Sequence, residues 1–470
     1  MAFWNRRRSV EEAGAHEGGA QLKRTLGWPH LVALGVGAIV GTGIYTLTGV
    51  GVDKAGPGII IAFAIVGVIC TCVALAYAEL ATMMPGSGGA YTYSYATLGE
   101  LVAWIVGWSL ILEYSLVVSA VAVGWSAYAV GFLNGLGIDL PAAVASGPHA
   151  GGLFNLPAVF IIAVVSGLLL LGTRESATVN ALLVAVKIAA LVLFVAVALP
   201  HFDAANFQPL MPFGFEKSDQ GGVERGVMAA AAIVFFAFYG FDAISTAAEE
   251  TKNPGRDLTI GILGSMVLCT ILYMLVAAAA VGSMPFGRFA ASEEPLADIL
   301  RLLNQDGVAQ WVAAAVVIGV PTVILAFLYG QTRIFFVMAR DGLLPQGLSK
   351  VNPKTGVPVA ITLFTAIVVS ALAGVFRLDE IAALANAGTL AAFIAVGVCL
   401  MVLRITQAKR VRVFRTPLWP VVGVVTVAGC AWLFSSLPER TQVWFLIWNA
   451  IGLVLYFAYG AWNSRLAKRS

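Results

Sequence analysis

Residues 35–51 read GVGAIVGTGIYTLTGVG, and residues 235–250 read FFAFYGFDAISTAAEE. Each stretch sets glycine in the middle of a long apolar run. Glycine disfavours helix because it loses the most backbone entropy and packs no side chain. Unwinding at Gly41-Thr42-Gly43, or beside Gly240 and Asp242, frees N–H and C=O groups within an apolar layer. In lipid such groups persist only where they line a cavity or bind something. Alone, the first stretch also fits close helix packing, because Gly37 and Gly41 have small-xxx-small spacing. The matching break about two hundred residues on weakens that plainer reading.

The rest of the chain is equally apolar. Of 470 residues, 59% are hydrophobic and 11% charged, against about 25% charged in soluble domains. Spanning helices need about 20 apolar residues. The pattern predicts an all-α integral membrane protein of twelve spans. They run at roughly 29–50, 57–84, 99–132, 156–172, 177–199, 226–248, 257–282, 307–338, 357–375, 379–403, 416–436 and 442–463. Cys70, Cys72, Cys269, Cys399 and Cys430 all lie in apolar runs, so a disulfide framework is not expected.

With both termini placed inside, inner segments carry nineteen Lys and Arg against seven outside, the expected cytoplasmic bias. The predicted plan is a cytoplasmic tail (1–28), a five-helix repeat (29–200), an outer loop (201–225) and a second five-helix repeat (226–403). A basic cytoplasmic loop (404–415), helices 11 and 12 (416–463) and a tail (464–470) complete it. Five is odd, so the second unit is inverted relative to the first, and paired breaks in two such halves point to a transport site. Residues 85–98 read as a Gly- and Tyr-rich cytoplasmic loop. Residues 289–303 read as an amphipathic outer helix, either a plain surface element or a lid.

Half-helix ends define what fits between them. An N-terminus offers unpaired amides and partial positive charge, suiting a carboxylate. A C-terminus offers carbonyls, suiting an ammonium. An α-amino acid carries both, and Thr42 adds a hydroxyl.

Four motifs together, GVGAIVGTGIY, PGSGGAYTY, FFAFYGFDAISTAAEETKNP and YGQTRIFFVMARDGLLP, resemble the amino acid–polyamine–organocation superfamily. Within it they are similar to the shorter bacterial form of the cationic amino acid transporter family. The resemblance implies a leucine-transporter-type fold of 5+5 inverted helices with two added C-terminal helices, working by alternating access. It implies a substrate carboxylate on the amides of Thr42 and Gly43. It implies a substrate amine on carbonyls at Ile39 and at Phe236, Ala237 and Tyr239, with Phe236 or Phe238 as the covering aromatic.

Lys187 lies about ten residues from either end of the fifth span, roughly 15 Å of helix, too deep to snorkel easily. Intramembrane ionisable groups face a partner or cavity. The resemblance sets this lysine at a position that holds sodium in coupled relatives, bridging to the unwound part of helix 1. It is either a proton-coupling group or a fixed strut. Glu113, mid-way along the third span, either contacts the substrate amine or pairs structurally. Asp242 caps the inner half-helix or touches substrate. Glu79, Glu249, Glu250, Arg333 and Arg340 form an inner gate or simply solvated helix ends. Pro321 predicts a kink.

The expected function is proton-coupled symport of small neutral, or also cationic, L-amino acids at a bacterial inner membrane. A cationic amino acid exchanger and an amino-acid sensor are the alternatives. No Walker motif, catalytic constellation or metal cluster stands out, so no enzyme, cofactor, metal or nucleic-acid role is expected. The partners expected are substrate, protons and the bilayer, with a small membrane protein left unidentified.

Overall fold

The computed structural model describes residues 6–7, 26–84, 88–172, 177–246, 251–290, 292–350, 352, 355 and 357–469. Glu249 and Glu250 of the expected inner gate, and most of the N-terminal tail, lie outside the described residues. Apolar runs punctuated by Gly and Pro become helices. The first run is split into α1 (Trp28–Ile39), α2 (Thr42–Tyr45) and α3 (Leu47–Ala55). Gly56 (φ +57°) and Pro57 turn the chain into α4 (Ile59–Met83).

α5 (Gly89–Thr97) corrects the expectation of a loop at 85–98. Its tyrosines alternate in sequence, which hides the helical period, yet they are buried on several faces. Tyr91 donates to Asp341 Oδ2 (2.9 Å), Tyr95 to Glu100 Oε2 (3.0 Å), and Tyr93 meets Tyr77 edge-on. α6 (Glu100–Gly135) has 36 residues, about 54 Å at 1.5 Å per residue, so it tilts across or outreaches a core of about 30 Å. α7 (Leu156–Leu170) and α8 (Ala177–Ala198) follow.

The second broken run holds α9 (Val227–Val234), a tight turn of helix at Phe235–Phe238 and α10 (Ala243–Thr246). α11 (Pro254–Ser283) leads to the short helix α12 (Pro295–Leu302). α13 (Asp306–Gly319) and α14 (Pro321–Arg340) divide at Pro321, which has no N–H to continue the ladder. α15 (Val359–Val375), α16 (Leu378–Thr406), α17 (Trp419–Ser435) and α18 (Glu439–Leu455) follow, and short helical pieces run on to Arg469. Among the described residues, seven helical stretches are long and apolar enough to cross a membrane, with five shorter apolar helices beside them. The protein is a multi-pass membrane protein. All five cysteines are free.

α6 packs on α16 and α14, α4 and α1 pack on α11, and α3 packs on α9. This brings both broken runs to the centre. α12 lies over them: Leu296, Ile299 and Leu300 are fully buried, and Pro295 rests on Gly49 of α3. At its start Glu294 presses on bare Gly131 of α6 and accepts from Arg301 at 2.5 Å, and Arg301 also pairs with Asp298 at 2.7 Å. Burial pushes the Glu294 carboxyl above its ordinary value, against the pull of Arg301. A raised folded pKa means stability is present below the unfolded value and lost as pH rises through the folded one. Wild type should therefore lose melting temperature relative to Glu294→Gln as pH rises from the ordinary glutamate value of 4.5 upward. Thermal melts of both proteins across that range check it.

Candidate functional site

α1 ends at Ile39. Val40 (φ −76°, ψ 98°) and Gly41 (φ −151°, ψ −153°) run extended before α2 opens at Thr42. The first bonds of α2 come from the Ile44 and Tyr45 amides to the Gly41 carbonyl. The Thr42 and Gly43 amides thus lie at the start of a helical piece, where N–H groups have no partner within the helix. In the second run, Tyr239 is extended (ψ 156°) and Gly240 takes φ +105°, a conformation open to glycine and costly for others.

The two breaks touch each other through glycine. A Cβ on Gly43 would run into the main chain of Ala237, and one on Gly240 would stand 2.6 Å from the Cβ of Ala38. Between them is a narrow cavity whose accessible volume is about 10 Å³, room for about one water-sized sphere. Ile39, Thr42 and Gly43 line it from the first run, and Phe236 and Tyr239 from the second. Val117, Val121, Val323 and Phe327 add an apolar wall from α6 and α14.

Of the residues singled out from sequence, the fold brings Ile39, Thr42, Gly43, Phe236 and Tyr239 to this cavity. Ala237 is buried behind it against Gly43. Phe238 is directed away and packs on Phe63 and Tyr273. Glu113 is buried on α6 but outside the lining, its backbone and Cβ beside Gly388 of α16, with Oε2 lacking a hydrogen-bond partner. Asp242 accepts from Tyr114 at 3.4 Å. Lys187 is wholly buried, and its Nζ donates to the Gly37 carbonyl at 2.6 Å and to Thr322 Oγ1 at 3.4 Å. Glu79 meets Arg404 and Arg412 rather than the expected gate residues. Arg333 and Arg340 lie over the rings of Tyr329 and Phe336.

Three supporting residues were missed in the sequence. Tyr273 donates to the Ile39 carbonyl at 2.9 Å, at the end of α1. Asn386 donates to the Ala232 and Ile233 carbonyls at 2.6 and 3.2 Å and accepts from the Tyr239 hydroxyl, pinning the second break. Gly319 makes room for the Lys187 stem, since a Cβ there would meet its Cγ at 2.6 Å. A polar Asn in an apolar run was the one available signal, and only its partners give it a role.

The Gly43 contact gives a direct prediction. Gly43→Ala forces a methyl into packed main chain, an overpacking cost of about 1–3 kcal/mol. Ligand affinity should fall roughly tenfold or more, while Gly167→Ala, with open space around it, leaves affinity unchanged. Equilibrium binding on purified protein measures both.

The family model for "Amino acid permease" matches residues 26–458. The branched-chain amino acid permease BcaP of Bacillus subtilis (strain 168) is 47% identical over 98% of this chain and 98% of its own. The methylthioribose transporter of the same organism is 41% identical over the whole of both chains. A vacuolar cationic amino acid transporter 4 of Arabidopsis thaliana is 37% identical over 83% of this chain and 64% of its own.

Proposed function

This chain belongs to the amino acid permease family, whose members are transporters and not enzymes, and we propose that it is a proton-coupled carrier of neutral L-amino acids, branched-chain ones included. The observation that carries this is the cavity between the breaks. Orphan amides at Thr42 and Gly43 suit a carboxylate, carbonyls at the ends of the broken pieces suit an ammonium, and Val117, Val121, Val323 and Phe327 suit an aliphatic side chain. An apolar wall of this kind desolvates a leucine or valine side chain without leaving polar atoms unpaired. Glu113 stands outside the lining, so a basic side chain in the cavity has no counter-charge on the wall; this disfavours arginine and lysine.

The packing also supports twelve spans in a 5+5 inverted plan. Taking each broken run as one span, helix 1 packs on helix 7 as helix 6 packs on helix 2, and helix 3 on helix 10 as helix 5 on helix 8. Exchanging the two halves interconverts these pairs. On this reading 29–200 and 226–403 are the repeats, 416–463 the added helices, and both tails are cytoplasmic in the inner membrane. Alternating access follows from rocking one set against the other, with Lys187 carrying the coupled proton and Asp242 ordering the inner half of helix 6. A sugar carrier is the second reading, favoured by full-length similarity to the methylthioribose transporter.

Proteoliposome uptake of labelled leucine, alanine, arginine and methylthioribose tests all of this. The expected result is leucine and alanine uptake that rises with an inward proton gradient, with little arginine or methylthioribose uptake. Leucine uptake indifferent to the gradient would sink proton symport, and preferred methylthioribose uptake would replace the amino-acid reading.

A further inference from the structure

We propose that the loop joining α16 to α17 is a binding site for the headgroup of an anionic phospholipid in the leaflet that this loop faces. Two of the loop's cations are already engaged. Arg404 and Arg412 are turned inward onto Glu79 of α4, at 2.7 and 2.8 Å. Arg412 also donates to the Leu403, Gln407 and Arg410 carbonyls at 2.9–3.0 Å. Thr416 donates its amide to Glu79 Oε2 and its hydroxyl to the Leu75 carbonyl. The loop is therefore a fixed surface.

Lys409 and Arg415 are exposed on that surface, and Arg410 reaches Gln407 Oε1 at 3.1 Å. On the neighbouring start of α11, Lys252 and Arg256 are also exposed, joined to the loop where Val413 leans on the bare Cα of Gly255. Within the described residues of 251–257 and 404–418 the only carboxylate is Asp257, which is buried and takes the Asn253 amide. The surface is thus cationic without compensation of its own.

Aliphatic side chains are interleaved with these cations. Val411 is 89% exposed, Leu418 76% and Ile405 71%. Leu418 also takes φ +44°, a backbone conformation that a bulky residue adopts only against strain. In water nothing rewards displaying a strained, bare leucine. At a bilayer boundary the acyl region does. α17 has 17 residues, about 25 Å, shorter than the hydrocarbon core of about 30 Å. Spanning that core draws the flanking Leu418 into its edge, which leaves Arg415, three residues away, toward headgroup level. Cations at headgroup depth beside aliphatics below them fit an anionic lipid, whose phosphate and chains need both. A soluble acidic partner would leave the aliphatic half unexplained.

The test uses the purified full chain in mild detergent and titrates phosphatidylglycerol, phosphatidylcholine or soluble glycerol phosphate, reading bound lipid by native mass spectrometry and the melting temperature. Each basic residue near an anionic surface contributes about fivefold in affinity. Lys409→Gln/Arg415→Gln should therefore bind phosphatidylglycerol about 25-fold more weakly than wild type, with an unchanged lipid-free melting temperature. Val411→Ser/Leu418→Ser, which keeps the cations, should also weaken it. Equal phosphatidylglycerol affinity in wild type and the charge variant overturns the proposal. So does equal stabilisation by phosphatidylcholine, and equal stabilisation by glycerol phosphate would mark a free-anion site without a lipid role. The readout is binding, so it stands or falls apart from the transport reading.

Discussion

Glu79→Gln should destabilise the protein by about 3–5 kcal/mol, the usual cost of breaking a buried ion pair by removing one partner. Glu79 is 1% exposed and sits near the end of α4. Its Oε2 accepts from two donors of the α16–α17 connection, Arg404 Nη2 at 2.7 Å and the Thr416 amide at 2.8 Å, and its Oε1 is ion-paired with the Arg412 guanidinium, whose Nε is 2.8 Å away. Glutamine keeps the volume but removes the charge, and its amide end presents hydrogens to groups that are themselves donors. The Arg412 side chain has no solvent access to recover hydration. Thermal melts in detergent measure the loss, and a double-mutant cycle with Arg412→Met apportions it. The combined variant should be less damaged than the sum of the two single changes, because the second removes the cation stranded by the first. Additive losses would mean that Glu79 and Arg412 are not coupled.

Glu79 also marks where sequence reading stopped. A glutamate near a helix end is compatible with a gate, a solvated terminus or a buried anchor, and only partners more than three hundred residues away decide. The broken runs were legible because glycine in an apolar span is a local violation with few remedies. Lys187 was legible for the same reason, since a central lysine has no route to water. The helix at 89–97 was not legible. A segment buried on several faces leaves no apolar stripe for periodicity to detect, and tyrosine at every second position imitates a strand. Phe236 and Phe238 were equivalent on paper. The turn at Phe235–Phe238 rotates one to the cavity and the other to Phe63 and Tyr273. Glu113 was placed on the right helix, yet the cavity wall is made by Val117 and Val121, one and two turns further on. The contact of Gly43 with Ala237, and of Gly240 with Ala38, joins positions about two hundred residues apart, and no spacing rule within either run contains it.

Lys187→Met is expected to abolish gradient-driven accumulation while leaving amino-acid counterflow measurable. The ammonium at 2.6 Å from the Gly37 carbonyl holds the last full turn of α1 just before the break. Thr322 Oγ1, at 3.4 Å, ties the same group to the start of α14. Methionine fills the space of the stem beside Gly319 but donates nothing. The Gly37 carbonyl then loses its buried donor, a cost of about 1–3 kcal/mol, or roughly five- to 140-fold in the population of the ordered break. A strut and a proton carrier both predict weaker transport from this change alone, so Lys187→Arg provides the discrimination. Guanidinium remains charged at every accessible pH. If the lysine only pins α1 to α8 and α14, arginine can donate to the same carbonyl, and uptake should keep its response to the proton gradient. If release of its proton lets the two breaks separate, arginine locks them together, and accumulation should vanish while substrate binding persists. Uptake with and without an imposed gradient, beside counterflow and binding on the same preparations, distinguishes these outcomes. Gradient-dependent accumulation in Lys187→Arg at the wild-type level would remove the proton from Lys187 and leave it as a strut.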